Sequence, residues 1–545
     1  MTPWIGRRQF LGGTAVAGLG LAAARSANAE ALHHPVVATR SGPVAGQRLE
    51  GVVAFKGIPY AAPPTGDLRF APPRPPAPWT EVRDAAALGH PAVQMPSASA
   101  ASPTSDLGRA LQAVFPVAAD VAAQSEDCLV LNVWTPKPDR GKRPVMVWLH
   151  GGGFAYGSAG WPMYDGANLA ARGEVVVVGV NHRLNVFGYV QLDAAPGSGN
   201  AGMLDLVAAL EWVRDNIAAF GGDPDNVTLF GESGGGAKVS YLLAMPRARG
   251  LFHKAIVQSG PGVRAVPIDR ARALAADLFA ELGLAAGDVA ALRAVPADRL
   301  IRAAYAAEAK QPGAGFDRSG FSPVVDGDIL PRHPWDPDAP DTARDVPVLI
   351  GINKDEMTLF MASAPWFGRL DEAGLDAMAQ ATFGARAPAV LAALRRDFPG
   401  DSPTYLATHL TTYGRMFAGS VQIAERKAGQ GGARAWMYLL EWETPVGPFR
   451  APHTLEIPLV FDTVETSRPL LGPGPEPQVM AAQMSAAWLA FARNGDPNTP
   501  LLPRWPAYDA ADRPVMVFNL TSRVVNDPYA ATRAAVTQRI VTAVP

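Results

Sequence analysis

Apolar residues in the middle of the chain fall in short unbroken runs: CLVLNVW, PVMVWLH, VVVVGVN, VTLF, KAIVQSG, VPVLIGIN and AWMYLLEW, between positions 128 and 442. Runs of Val, Ile and Leu bounded by turn residues suit strands covered on both faces, as in a parallel sheet. The segments between them carry helical spacing instead. In LDLVAALEWVRDNIAAF, Leu204, Val207, Leu210, Val213 and Ile217 recur at that spacing until Gly221 and Gly222 end it. The alternation predicts an α/β fold, a large mixed, mostly parallel sheet flanked by helices. Upstream, VVATRSGPVAGQRLEGVVAFKGIPYA alternates apolar and polar positions around glycine turns, which predicts an antiparallel ribbon at the sheet edge. Ala-rich helical stretches at 264–312 and 366–430 read as excursions between later strands, and 95–125 as an irregular Ala/Ser/Pro insertion. Helical cap segments over one end of the sheet are therefore expected around 95–125, 264–345 and 358–430, within a single domain of residues 30–545.

Composition narrows the partners. Of 545 residues, 48% are hydrophobic and 18% charged, with a formal net charge of -2, an ordinary globular balance. No block of Lys or Arg follows the N-terminus, so the electrostatic footprint that nucleic acid or an anionic membrane requires is missing. A small molecule is the expected partner. Residues 1–29 differ from the rest: Arg7 and Arg8 precede Gln9, Phe10 and Leu11, then a short Gly/Ala/Leu stretch, then Ala27 and Ala29 as the small residues of a cleavage site. This pattern reads as a twin-arginine export signal, which predicts a periplasmic or extracellular bacterial protein with no stable membrane anchor after signal removal. Cys128 is the one cysteine, so no internal disulfide can form, and it reads as a small buried hydrophobe.

Candidate chemistry sits where one of the apolar runs breaks. In VTLFGESGGGAKVSYLL, residues 227–243, a strand, a sharp turn and a helical segment follow one another. That arrangement lifts a serine hydroxyl, here Ser233, out at the end of a sheet. Residues without a Cβ let the chain turn tightly and let the helix pack close to the strand. VMVWLHGGGF is a second strand, ending in Gly151, Gly152 and Gly153, whose backbone N–H groups could join that of Gly234 around an oxygen that becomes negative during attack. A phosphate cradle is the rival use of such a loop, but the G-K-[ST] ending is absent.

A serine nucleophile on this kind of sheet takes its acid and then its base from later in the chain. His253 comes too soon for an acid to intervene, His333 precedes VPVLIGIN, and His409 sits inside a helix-like stretch. His453, in the loop FRAPHTLEIP directly after AWMYLLEW, is the best placed. For the acid, Asp355 and Glu356 end VPVLIGINKDEM, with Asp326 and Asp328 as earlier alternatives. Spacing alone does not choose between positions 355 and 356.

The chain resembles the type-B carboxylesterase family, the group of cholinesterases and bacterial p-nitrobenzyl esterases on the α/β-hydrolase fold. The resemblance runs through FKGIPYAAPPTGDLRFAPP, SEDCLVLNVWTP, HGGGFAYGS, NHRLNVFGY, GNAGMLDLVAALEWVRDNIAAFGGDPDNVTLFGESGGG, GINKDEM, HTLEIPLVF and FARNGDPN. It implies Ser233 as nucleophile, Glu356 as acid, His453 as base, and Gly152, Gly153 and Gly234 as oxyanion donors, with Glu232 and Ser259 in support. It further implies a serine hydrolase of small-molecule carboxylic esters that forms an acyl-enzyme and needs neither metal nor cofactor. Lipase, amidase and carbamate hydrolase activities share that machinery, and a non-catalytic binding protein of the same fold is the reading from another class.

Departures from the family pattern mark this chain. Gly234 stands where alanine is usual, Met357 where Gly or Ser follows the acid, and Leu206 follows Asp205 where Gln is common. Asp205 itself reads as structural. Ala92 takes the place of the partner cysteine of Cys128, so a loop that relatives tie with a disulfide is untied, and choline esters are not expected substrates.

Overall fold

The computed structural model describes residues 34–95, 109, 123–311 and 320–537. The expected export signal and most of the 95–125 insertion lie outside the described residues. Eleven strands build the main sheet: β1 (Gln47–Leu49), β2 (Val52–Pro59), β3 (Val130–Thr135), β4 (Arg143–Leu149), β5 (Val176–Val180), β6 (Gly222–Glu232), β7 (Lys254–Gln258), β8 (Val348–Asn353), β9 (Ala435–Leu440), β10 (Pro514–Phe518) and β11 (Arg523–Asn526). Their spatial order is β11-β10-β9-β8-β7-β6-β4-β5-β3-β2-β1. From β10 across to β5 every neighbouring pair is parallel, and the antiparallel pairs lie at the two edges. The sheet is therefore mixed and mostly parallel, as the apolar runs predict.

Strands β5, β7, β8 and β9 are buried at every position, so their sequences have no polar face to alternate with. Alternate side chains feed two cores: Val145, Val147 and Leu149 of β4 join one, Met146 and Trp148 the other. The expected N-terminal ribbon divides in two. Val36–Ala38 and Pro43–Ala45 pair in a separate three-stranded sheet, whereas β1 and β2 close the edge of the main one.

The helices that flank this sheet include α1 (Ala201–Asn216), α2 (Gly234–Leu242), α3 (Ile268–Leu282), α4 (Ala297–Lys310), α5 (Glu372–Phe383), α6 (Ala387–Asp397), α7 (Pro403–Thr411), α8 (Ala418–Gly429), α9 (Glu456–Phe461) and α10 (Glu476–Asn494). Helices α3 and α4 pack on each other within the 264–345 segment. In the 358–430 segment, α8 packs directly on β8 and β9, so that the end of this excursion covers the sheet itself. Among the described residues, no helix is long and apolar enough to cross a membrane.

Two buried features explain family motifs of the sequence. Asp205 on α1 takes the Arg183 guanidinium in a two-point pair, Nε to Oδ2 at 2.8 Å and Nη2 to Oδ1 at 2.6 Å, with both side chains buried. Arg183 also donates to the carbonyl of Ala71 at 2.7 Å, which ties the NHRLNVFGY turn to the GDLRFA segment. Leaving one partner of such a pair alone in the core costs about 3–5 kcal/mol. Cys128 and Ala92 are both buried and line one small cavity, with burial pushing the thiol pKa up and leaving it protonated.

Candidate active site

Strand β6 ends at Glu232 and α2 begins at Gly234, so Ser233 makes the whole turn by itself, with φ 57° and ψ -120°. A residue with a Cβ in such a conformation is strained by about 1–3 kcal/mol and keeps it only when its surroundings fix it. Here the Ser233 N–H donates to the carbonyl of Gln258 at the end of β7 (2.8 Å), and the Ser233 carbonyl accepts from Ala237 N–H (3.0 Å). The following glycines leave no alternative. A Cβ on Gly235 would collide with the carbonyl of Leu149, and one on Gly234 with the carbonyl of Gly153.

Gly151, Gly152 and Gly153 follow β4 and lie against this elbow. Gly152 and Gly153 adopt φ of 84° and 61°, and the Gly152 carbonyl accepts from the N–H groups of both Ala155 and Tyr156 at 3.2 Å. The loop's glycines and Gly234 therefore sit backbone to backbone.

The other half of the site comes from the ends of β8 and β9. Asp355 N–H donates to the Ala451 carbonyl (2.9 Å), Ala451 N–H returns a bond to Asp355 Oδ2 (3.2 Å), and His453 N–H donates to the Glu356 carbonyl (3.2 Å). These bonds bring Glu356 and His453 together: His453 Nδ1 hydrogen-bonds Glu356 Oε2, while Glu356 Oε1 accepts from Asn353 N–H at 2.8 Å. On its other side, His453 Nε2 stands 3.0 Å from Oε1 of Glu232, the residue before Ser233. Burial alone would lower the His453 pKa, but the charges of Glu232 and Glu356 outweigh it and raise it to about 9. Burial also raises Glu232 well above the ordinary carboxylate range, and raises Glu456, beside Glu356, to about 7.

The remaining candidates from the sequence point elsewhere. Asp355 turns away from His453, with Lys354 at 3.6 Å, Arg450 at 3.7 Å and His409 at 3.9 Å. His409, in α7, is buried, stacks on Phe398 and faces Asp401 at 2.9 Å. His253 accepts from Val227 N–H, His333 lies beside Arg264, Asp326 accepts from Asn200, and Asp328 is exposed. Ser259 is buried with φ 48°, and its Oγ makes no hydrogen bond among the described residues, Glu356 included.

The model of the carboxylesterase family matches residues 33–537. The chain belongs to the carboxylesterase family. It is 36% identical over 505 residues to the para-nitrobenzyl esterase of Bacillus subtilis (strain 168), covering 92% of this chain and 98% of that protein. It is 35% identical over 489 residues to the phenmedipham hydrolase of Pseudarthrobacter oxydans, covering 89% and 94%. Among solved structures, carboxylesterase EST55 of Geobacillus stearothermophilus superposes with a TM-score of 0.79 at 39% identity, covering 92% of this chain and 99% of that one. The protein is thus a carboxylesterase, a serine hydrolase of the α/β-hydrolase fold that acts on small-molecule esters.

Sequence reasoning missed a polar chain inside this carboxylesterase. Gln258, whose carbonyl holds Ser233, donates from Nε2 to Glu456 Oε1 at 3.1 Å and accepts from Trp488 Nε1 at 3.0 Å. Asn353 Nδ2 donates to Glu456 Oε2 at 2.6 Å and to the Pro452 carbonyl at 2.7 Å. Elbow, β8 and the His453 loop are thereby joined through one buried carboxyl group. Glu456 was within reach of sequence reasoning, three residues after His453 in HTLEIP; Gln258 and Trp488 carry no local signal. Lys238 was missed as well, a charged residue of α2 with no exposed surface.

Proposed function

We propose that this carboxylesterase works through an acyl-enzyme on Ser233, with Glu356 and His453 completing a triad and the N–H groups of Gly152, Gly153 and Gly234 receiving the oxyanion. The observation that carries the reading is the placement of the His453 ring, Nδ1 on Glu356 and Nε2 toward the elbow that bears Ser233. Ser233 Oγ attacks the ester carbonyl as His453 Nε2 takes its proton. The tetrahedral intermediate collapses, and His453 delivers that proton to the leaving alcohol. Water then attacks the acyl-enzyme with His453 again as base, and the carboxylic acid leaves. Glu356 fixes the tautomer that leaves Nε2 free and stabilises the imidazolium formed at each step.

The test is Ser233→Ala with p-nitrophenyl esters from acetate to palmitate, beside anilides and carbamates. Turnover on every substrate should fall to background, and a fluorophosphonate should label Ser233 in the wild type alone. A variant as fast as the wild type would end the reading. Relative rates across the panel rank ester against lipase, amide and carbamate chemistry. We also propose that residues 1–29 direct twin-arginine export, so that changing Arg7 and Arg8 to Lys leaves the enzyme inside the cell; unaltered export of that variant would refute the route.

A further inference from the structure

Lys238 is the fifth residue after Ser233, on the turn of α2 that faces the glycine loop, and it has no exposed surface. A buried ammonium must find acceptors for its three N–H groups. Lys238 Nζ finds two in the backbone of that loop, the His150 carbonyl at 3.0 Å and the Gly153 carbonyl at 2.9 Å. Its cation also lies 5.3 Å from the ring centre of Phe154, the next residue of the loop. One side chain therefore grips the loop before, within and after its three glycines.

The grip has a steric counterpart. Gly153 N and Cα lie 2.5 Å from where a Cβ on Gly234 would stand, and its carbonyl oxygen is closer still. The loop occupies the room that an alanine at position 234 would need.

We propose that Lys238 is a positioning residue for the oxyanion donors and that it acts as a pair with Gly234: the ammonium draws the Gly153 peptide down onto the elbow, and only glycine at 234 admits it there. The proposal rests on the assignment of Gly152, Gly153 and Gly234 as donors. Donors of this kind act only when aimed at the place the oxyanion will occupy, and one is worth about 100- to 1,000-fold in rate. Burial lowers the Lys238 pKa to about 7 against the opposing charge of Glu232 at the end of β6, and pushes His150 and the adjacent His182 toward their neutral forms with Lys238 adding to that shift, so the two N–H bonds to loop carbonyls are what fix the side chain in place.

The experiment compares Lys238→Met, which keeps the length and loses donors and charge, with Lys238→Gln, Gly234→Ala and the Lys238→Met/Gly234→Ala double variant. Each is assayed on p-nitrophenyl butyrate, for inhibition by a butyl trifluoromethyl ketone that forms an oxyanion on Ser233, and for inhibition by butanol, which forms none. Lys238→Met should lose about 10- to 100-fold in kcat with KM little changed, and lose ketone affinity by a similar factor while butanol affinity holds. Lys238→Gln should recover part of both losses through its amide donors. Gly234→Ala should be slow in the wild-type background yet add little to Lys238→Met, because the released loop can make room for the methyl group.

Wild-type kcat in Lys238→Met, equal losses of ketone and butanol affinity, or multiplicative effects of the two substitutions would each overturn the proposal. Should Lys238→Met fail to fold, Gly234→Ala decides alone, since full activity there would show that nothing pins the loop to the elbow. A wild-type enzyme that bound the ketone no better than butanol would overturn the donor assignment itself, a failure separate from that of the lysine.

Discussion

On the nucleophile side, the Ser233 elbow is surrounded by main chain: the carbonyls of Gln258, Leu149 and Gly153, three successive glycines in one loop and three at the start of α2, and one buried lysine behind them. On the base side, His453 is surrounded by side-chain carboxyl groups, Glu356 on Nδ1, Glu232 by Nε2 and Glu456 within the same buried network. The first region is specified by shape, because a Cβ on Gly152, Gly234 or Gly235 would run into backbone. The second is specified by charge, because the proton affinity of one imidazole depends on which neighbours are ionised. Damage to the two regions should therefore look different in the same assay, as loss of rate on one side and displacement along the pH axis on the other.

The largest effect expected is that of His453→Ala, a loss of kcat of about 10,000-fold or more, measured by steady-state hydrolysis of p-nitrophenyl butyrate. Glu356→Gln comes next, at about 1,000- to 10,000-fold, since the amide cannot fix the productive tautomer. Gly235→Ala probes the opposite region. Its methyl group meets the Leu149 carbonyl, so kcat should fall by about 100-fold and the melting temperature should drop, with the pH midpoint of kcat/KM unmoved.

The charge side gives the smaller, shifted responses. His453 must be neutral to accept a proton, and its pKa is raised toward 9, so kcat/KM should rise with pH along a limb that lies above pH 6.5. Removing the negative charge with Glu232→Gln should move that limb to lower pH, and Glu456→Gln should move it the same way by less. A limb that stayed in place in both variants would show that neither carboxylate sets the affinity of His453 for its proton. Asp355→Asn sharpens the contrast between adjacent acids: thermal stability should fall while the limb holds its position, because Asp355 faces Arg450, Lys354 and His409 instead.

Legibility in the sequence follows the same division. Shape was readable, because a parallel sheet buries its strands on both faces and leaves continuous Val/Ile/Leu runs, and because elbows and tight loops need glycine. The run PVMVF of β10 carries that signal too, in only five residues, while β11, an edge strand with partly exposed positions, carries little of it. Charge was not readable to the same degree. Asp355 and Glu356 are neighbours in one turn, and which of them meets His453 depends on bonds to Ala451 and His453, about a hundred residues later in the chain. Lys238 is the extreme case. Local sequence places a lysine in water, and only the packing of α2 beneath the glycine loop shows it enclosed.

The bonds that join Asp355 to Ala451 close a long detour of the chain. The polypeptide leaves the sheet after β8, forms α5, α6 and α7, is fastened again by α8 and β9, and returns to a point two hydrogen bonds from its departure. The acid and base of the proposed triad sit on either side of that closure. The part of the detour that leaves the sheet, α5 to α7, is in the position of an exchangeable module, able to lengthen or shorten while α8 and β9 hold the two residues at its ends in register.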